Sequence, residues 1–101
     1  MVLYNVTVNI DEDVEEDWIQ WMKEIHIPEV METGFFIEYR MMRMLSQAAD
    51  ETGQTYAIQY LAETLGHVET YLEKAAPKLQ KQGIIRYGTK MAAFRTVLEE
   101  V

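Results

Sequence analysis

The chain has 101 residues, 49% of them apolar, with 9 Lys and Arg against 17 Asp and Glu and a net charge of −8. That is the size and composition of one globular domain with a modest core, and not of a disordered chain. The acidic balance makes DNA and RNA poor partners, and the lack of cysteine excludes disulfides, thiolate metal sites and thiol nucleophiles; with neither a signal peptide nor an apolar run of membrane-spanning length, a soluble, cytoplasmic protein without membrane association is expected.

Leu3 to Ile10 alternates, with Tyr4, Val6, Val8 and Ile10 on one face and Asn5, Thr7 and Asn9 on the other, which predicts a half-buried strand. Val14, Trp18, Trp21, Met22 and Ile25 then fall on one stripe at the helical period. Asp11 and Asp13 are N-cap types, and Glu12, Glu15, Glu16 and Asp17 put negative charge where the helix dipole favours it. Pro28 lacks an amide donor and biases Ile27 away from the α region. The helix is therefore expected to kink or end near Ile27, with a short turn over Pro28 to Thr33 that Gly34 stops.

Phe35 to Ser46 reads as a long strand, with room for a bulge where Met41-Met42 breaks the alternation. Residues 46–53 form a turn, and Gln54 to Ala62 is a third strand with Tyr56, Ile58 and Tyr60 on one face. Thr64 caps a second helix whose apolar face is Leu65, Val68, Leu72, Ala75 and Leu79, with Tyr71 beside them. Pro77 kinks or splits this helix and Gly83 ends it. Lys90 to Leu98 is the last strand.

The order is βαββαβ. A faint repeat supports two similar halves: Pro28 is followed by five residues and Gly34-Phe35-Phe36, and Pro77 by five residues and Gly83-Ile84-Ile85. The expected architecture is a single α+β domain over residues 1–101, a ferredoxin-like βαββαβ fold. It has a four-stranded antiparallel sheet and two helices on one face. The opposite face is expected to show Asn5, Thr7, Asn9, Thr55, Ala57, Gln59, Leu61, Ala93, Arg95 and Val97. Such a mixed face suits a homodimer formed through the sheet, and a water-facing sheet of a monomer is the alternative.

The pattern Trp18-x-x-Trp21-Met22-x-x-x-His26-Ile27-Pro28 followed by Gly34-Phe35 resembles that of dimeric α+β barrel proteins. These include the antibiotic-biosynthesis-monooxygenase and EthD-like families. The whole chain is similar to a family of bacterial proteins of this length and of unknown function. The match lies in Leu3 to Ile10, Trp21 to Pro28, Ala76 to Gln80 and Ala93 to Val101. The resemblance implies the ferredoxin-like fold and a face-to-face dimer, and no activity. The wider superfamily holds cofactor-independent oxygenases, haem enzymes, isomerases and plain binders, among which fold does not choose.

His26, at a helix end beside two tryptophans, is the candidate general acid or base; a histidine satisfying local carbonyls is the plainer reading. Trp18, Trp21 and Tyr4 are candidate walls of a ligand pocket, although tryptophans at helical spacing are most often core. Arg43 falls on the apolar side of its strand, where a charge needs a partner or an anionic ligand, unless the strand overruns the helices there. Met41, Met42 and Met44 read as packing, the acidic run 11–17 lacks the spacing of a calcium loop, and no metal or cofactor is expected. Two functions follow: a homodimer binding a small organic molecule between sheet and helices, with oxygenase- or isomerase-like chemistry by analogy, or a non-enzymatic dimeric sensor or scaffold.

Overall fold

Alternating apolar residues place β1 (Val2–Ile10) and β3 (Gln54–Ala62) side by side in the sheet centre of the computed structural model, which describes residues 1–101. Between β1 and β3 come a 3-10 turn (Glu12–Val14), α1 (Glu15–Trp21), a π-helical turn (Met22–His26), α2 (Ile27–Glu32) and β2 (Glu38–Arg43). After β3 come α3 (Leu65–Lys74), α4 (Ala76–Tyr87), a second 3-10 turn (Gly88–Lys90) and β4 (Met91–Glu99). The sheet is antiparallel throughout, in the order β2-β3-β1-β4. With the helices on one face, this is the ferredoxin-like α+β plan.

The core forms where the inward residues of β1 and β3 meet the helices. Tyr4, Val8, Ile10, Tyr56, Ile58 and Tyr60 pack in one cluster with Trp18, Trp21, Ile27, Val30, Val68 and Leu79. Trp18 is fully buried, and burying a side chain of this size stabilises by roughly 2–3 kcal/mol. Two Arg–Tyr–carboxylate chains fix α1 laterally. On one side the Tyr56 hydroxyl donates to the Glu15 carboxylate while Arg43 Nε donates to Tyr56 at 3.2 Å. On the other, Tyr87 donates to Asp17 at 2.8 Å while Arg86 Nε donates to Tyr87 at 3.0 Å.

The structure departs from the sequence pattern in several details. Of the kink or end expected near Ile27, the first helix shows no end: it widens into the π-turn and continues through Pro28 to Glu32. That extra residue rotates Ile25 out to solvent and turns His26 inward. β2 is shorter than Phe35–Ser46, because Phe36 leaves the strand path to pack on Tyr4, Tyr60 and Tyr71. Its pairing with β3 runs in continuous register, without a bulge at Met41-Met42. Pro77 does split the second helix, with the break at Ala75; α3 turns Val68 and Tyr71 inward and leaves Leu65 and Leu72 exposed, while Ala76 and Tyr87 of α4 are buried.

Gly83 does not end α4, which runs on to Tyr87. Its lack of a side chain lets Trp21 and Met91 close in: a Cβ there would meet Met91 Cε at 3.2 Å and Trp21 Cη2 at 3.5 Å. The last difference is one of parity. Val6 pairs with Arg95, Val8 with Ala93 and Tyr4 with Val97, so Ala93, Arg95 and Val97 share the helix-covered face. Ala92, Phe94, Thr96 and Leu98 take their place on the open face.

Gly53 holds the turn before β3 with φ +72°, and a Cβ there would lie 2.7 Å from the Ile10 carbonyl oxygen and 2.7 Å from Asn9 Oδ1. Neither the left-handed backbone nor the strand carbonyl can give. Gly53→Ala is expected to cost roughly 2 kcal/mol in urea unfolding. Gly66→Ala, with only the Thr64 hydroxyl at 3.6 Å, is expected to leave the midpoint unchanged or slightly raised.

Candidate functional site

The π-turn builds the site. Pro28 has no N–H to give the carbonyl four residues back, and its ring would crowd that carbonyl in a regular α-helix. The backbone widens instead, and the Ile27 N–H donates to the Met22 carbonyl, five residues back. His26 is thereby carried onto the face of Trp21, with ring centroids 4.8 Å apart and planes 26° from parallel. Trp21 in turn meets the edge of Tyr87 at 5.6 Å, and Trp18 packs on Tyr56 at 5.0 Å.

Beneath these rings lie two small adjoining chambers between helices and sheet. One has about 40 Å³ of free space and is walled by Trp18, Trp21, Leu79 and Met91. The other has about 30 Å³ and is walled by Tyr4, Tyr60 and Tyr71. They share Val6, Met22, His26, Gln80 and Arg95. Of the residues expected at a pocket, the fold therefore brings together His26, Trp18, Trp21 and Tyr4.

Arg43 lies elsewhere. It sits at the end of β2, with its guanidinium over the Tyr56 ring at 5.6 Å, and lines neither chamber. The cation in the cavity is Arg95, which the sequence pattern put on the wrong side of the sheet. The signal that could have found it was pairing: Val6 and Arg95 are cross-strand partners, so Arg95 must share the face of Val6.

The electrostatics follow from burial. His26 Nδ1 is sealed from solvent with no hydrogen-bond partner. Desolvation, with a smaller push from the Arg95 charge, holds His26 down to about 4, so the ring is neutral at pH 7. Burial raises the Tyr4 hydroxyl, which the facing Arg95 and Gln80 partly draw back. Burial likewise pushes Tyr60 and Tyr71 well above the ordinary phenol range. Trp18 Nε1 is also buried without an acceptor. No three His, Cys, Asp or Glu side chains come together in a way that could hold a metal ion.

A neutral imidazole with one free nitrogen can take a proton from a bound molecule or hydrogen-bond to it. With its affinity for protons this low, it is a weak base until an anion beside it raises that affinity. The linkage has a definite sign. Unfolded, His26 titrates near 6.5; folded, near 4. The unfolded chain binds the extra proton in between, so this contribution to stability is intact above pH 6.5. It is lost as pH falls toward 4, by on the order of 3 kcal/mol. Urea unfolding of wild type and His26→Gln at pH 7 and pH 4.5 is expected to show a steeper acid loss in wild type. Equal losses in both would mean that His26 is not buried neutral.

The family model of a domain of unknown function (DUF4286) matches residues 1–101. No curated protein matches the chain. Among solved structures it is similar to an ethyl tert-butyl ether D (EthD) family protein from Bacillus halodurans, at 9% identity and TM-score 0.74 over 100% of both chains. A candidate antibiotic biosynthesis monooxygenase from Deinococcus radiodurans aligns at 16% identity and TM-score 0.66, covering 100% of this chain and 93% of that one. A dimeric ferredoxin-like protein from an uncultured marine organism aligns at 11% identity and TM-score 0.71, covering 99% and 97%. At these identities the likeness is one of fold.

Proposed function

The chain belongs to the family of a domain of unknown function (DUF4286), and from that premise we propose that it is a homodimeric binder of a small organic molecule. The molecule sits between sheet and helices. Trp18, Trp21 and Tyr4 are its walls and His26 is the group that exchanges a proton or hydrogen bond with it. The observation that carries this reading is the unpartnered Nδ1 of His26, a buried polar atom on a residue that lines both chambers. Buried polar groups without partners are rare and cluster where a ligand or water completes them. Oxygenase- or isomerase-like chemistry enters by analogy of fold with the neighbours above, and no residue selects between them.

The dimer reading rests on the open sheet face. Phe94, Leu98 and Met42 are exposed there, with Leu3 and Leu61 half-buried beside them. At its middle, Asn5 donates to Thr7 at 3.1 Å and Thr96 at 3.3 Å, but its Oδ1 has no partner. A second copy packed on this face would cover the apolar side chains and offer a donor to Asn5. A dimeric ferredoxin-like protein among the structural neighbours supports a dimer. No helix is long and apolar enough to cross a membrane, and with the cysteine-free composition we place the dimer in the cytoplasm.

The smallness of the chambers favours a second reading, a non-enzymatic dimeric sensor or scaffold with an essentially filled core. Native mass spectrometry of gently purified protein separates the two. The binding reading expects a dimer with an added small mass that His26→Ala loses. A dimer without added mass, in wild type and variant alike, moves the function to the scaffold. Phe94→Glu is expected to yield monomer in the same measurement, and an intact Phe94→Glu dimer would mean the sheet face is not the interface.

A further inference from the structure

The cavity has a chemical sign. Trp18 Nε1–H can only donate a hydrogen bond, and the Arg95 guanidinium offers five donors and no acceptor. Gln80 adds an amide that donates as well as accepts. No Asp or Glu lines either chamber. The ion pairs of the fold, Arg86 with Asp17 and Lys90 with Asp13, involve no residue of the cavity. Arg95 thus lacks a carboxylate partner in a chain where 17 acidic residues outnumber 9 basic ones. Arg95 is exposed on the edge strand, so water answers its charge in part, and its donors at the cavity mouth stay available to an anion.

We propose that the cavity takes a compact organic carboxylate, its oxygens held by Arg95 with Gln80 completing the set, beside the Trp18 ring. This rests on the binding reading above and names the class of ligand. The geometry supports each part. Arg95, Gln80 and His26 are common to both chambers, so the charged group sits at the junction. The apolar remainder extends under Trp21 and Leu79 or under Tyr60 and Tyr71. Free space of about 40 Å³ is a few times what one water needs, which suits a carboxylate with a short carbon skeleton. Entry is from the side: β4 is an edge strand, and Arg95 is itself exposed on it.

The carboxylate also changes what His26 can do. Burial and Arg95 both oppose its protonation. An anion at the junction neutralises Arg95 and sits beside the imidazole, which reverses the second effect and opposes the first. The bound molecule thereby makes His26 a better proton acceptor for its own chemistry.

The test is an NMR titration of the two tryptophan indole N–H signals with acetate and with its neutral isostere acetamide, at constant ionic strength set with chloride. Acetate is expected to move the Trp18 signal saturably, and acetamide and chloride to leave it. Arg95→Gln is expected to weaken acetate binding about tenfold or more. Arg95→Lys restores part of it, and Lys81→Gln, which removes an exposed charge outside the cavity, changes nothing. Acetamide binding as well as acetate, or acetate binding undiminished in Arg95→Gln, overturns the carboxylate while leaving the binding reading standing. No response to either probe overturns both. Should Arg95→Gln fail to fold, the acetate–acetamide comparison in wild type and the response of Arg95→Lys decide the matter.

Discussion

The arrangement depends on one missing hydrogen. Pro28 has no amide N–H, and its ring excludes the carbonyl of residue 24 from its usual place in an α-helix. The chain answers by widening the preceding turn, so that the Ile27 amide reaches back to Met22. One residue is thereby inserted into the helical phase. Without it, the inward stripe through Trp18, Trp21 and Met22 would continue to Ile25. With it, Ile25 faces solvent and His26 lies against Trp21. Ile27 and Val30 then resume the core in phase, each almost wholly buried. A π-turn is less regular than an α-turn and persists where surrounding packing fixes it. Here the fixing comes from Trp21, clamped between His26 and Tyr87.

Pro77 has a different outcome. It too lies inside an apolar helical pattern, yet the chain breaks there. Ala75 leaves the helix with φ −119° and α4 begins afresh, with proline in its first turn. Both prolines have core residues on either side: Trp18, Trp21 and Val30 around Pro28, and Tyr71, Leu79 and Tyr87 around Pro77. The approach of α4 to that packing is possible only because Gly83 lets Trp21 and Met91 through. The glycine that reads as a helix stop in sequence is thus a helix-packing residue in space.

These cases mark what the sequence carried. β1 and β3 were legible because strict alternation has a period of two and nothing else in the chain imitates it. The capping of α3 by Thr64, which accepts from the His67 amide at 3.3 Å, was legible for the same local reason. The grouping of His26, Trp18, Trp21 and Tyr4 was legible because three of them share one helix and the fourth lies on the strand it must cover. Arg95 was not. In β4 both alternations are mixed: Met91, Ala93, Arg95 and Val97 against Ala92, Phe94, Thr96 and Leu98. Neither is apolar enough to declare itself inward, and only the pairing with β1 decides. Arg43 misled for the opposite reason. Its parity was right, but β2 is an edge strand, and at its end the inward side reaches Tyr56 and the start of α1 rather than the cavity.

The two arginines divide the labour that one of them was expected to perform. Arg43 faces a tyrosine already bonded to a carboxylate, so its charge is answered within the chain and serves to hold α1. Arg86 does the same on the far side through Tyr87 and Asp17. Arg95 faces Tyr4, Gln80 and a neutral histidine, none of which carries negative charge at pH 7. In a chain with nearly twice as many acids as bases, a carboxylate within reach of Arg95 would have been an easy arrangement, and it would also have raised the proton affinity of His26. Without a carboxylate of the chain beside Arg95, burial and the guanidinium together keep the imidazole neutral; under the carboxylate proposal an anion bound there would answer the one and raise the proton affinity of the other.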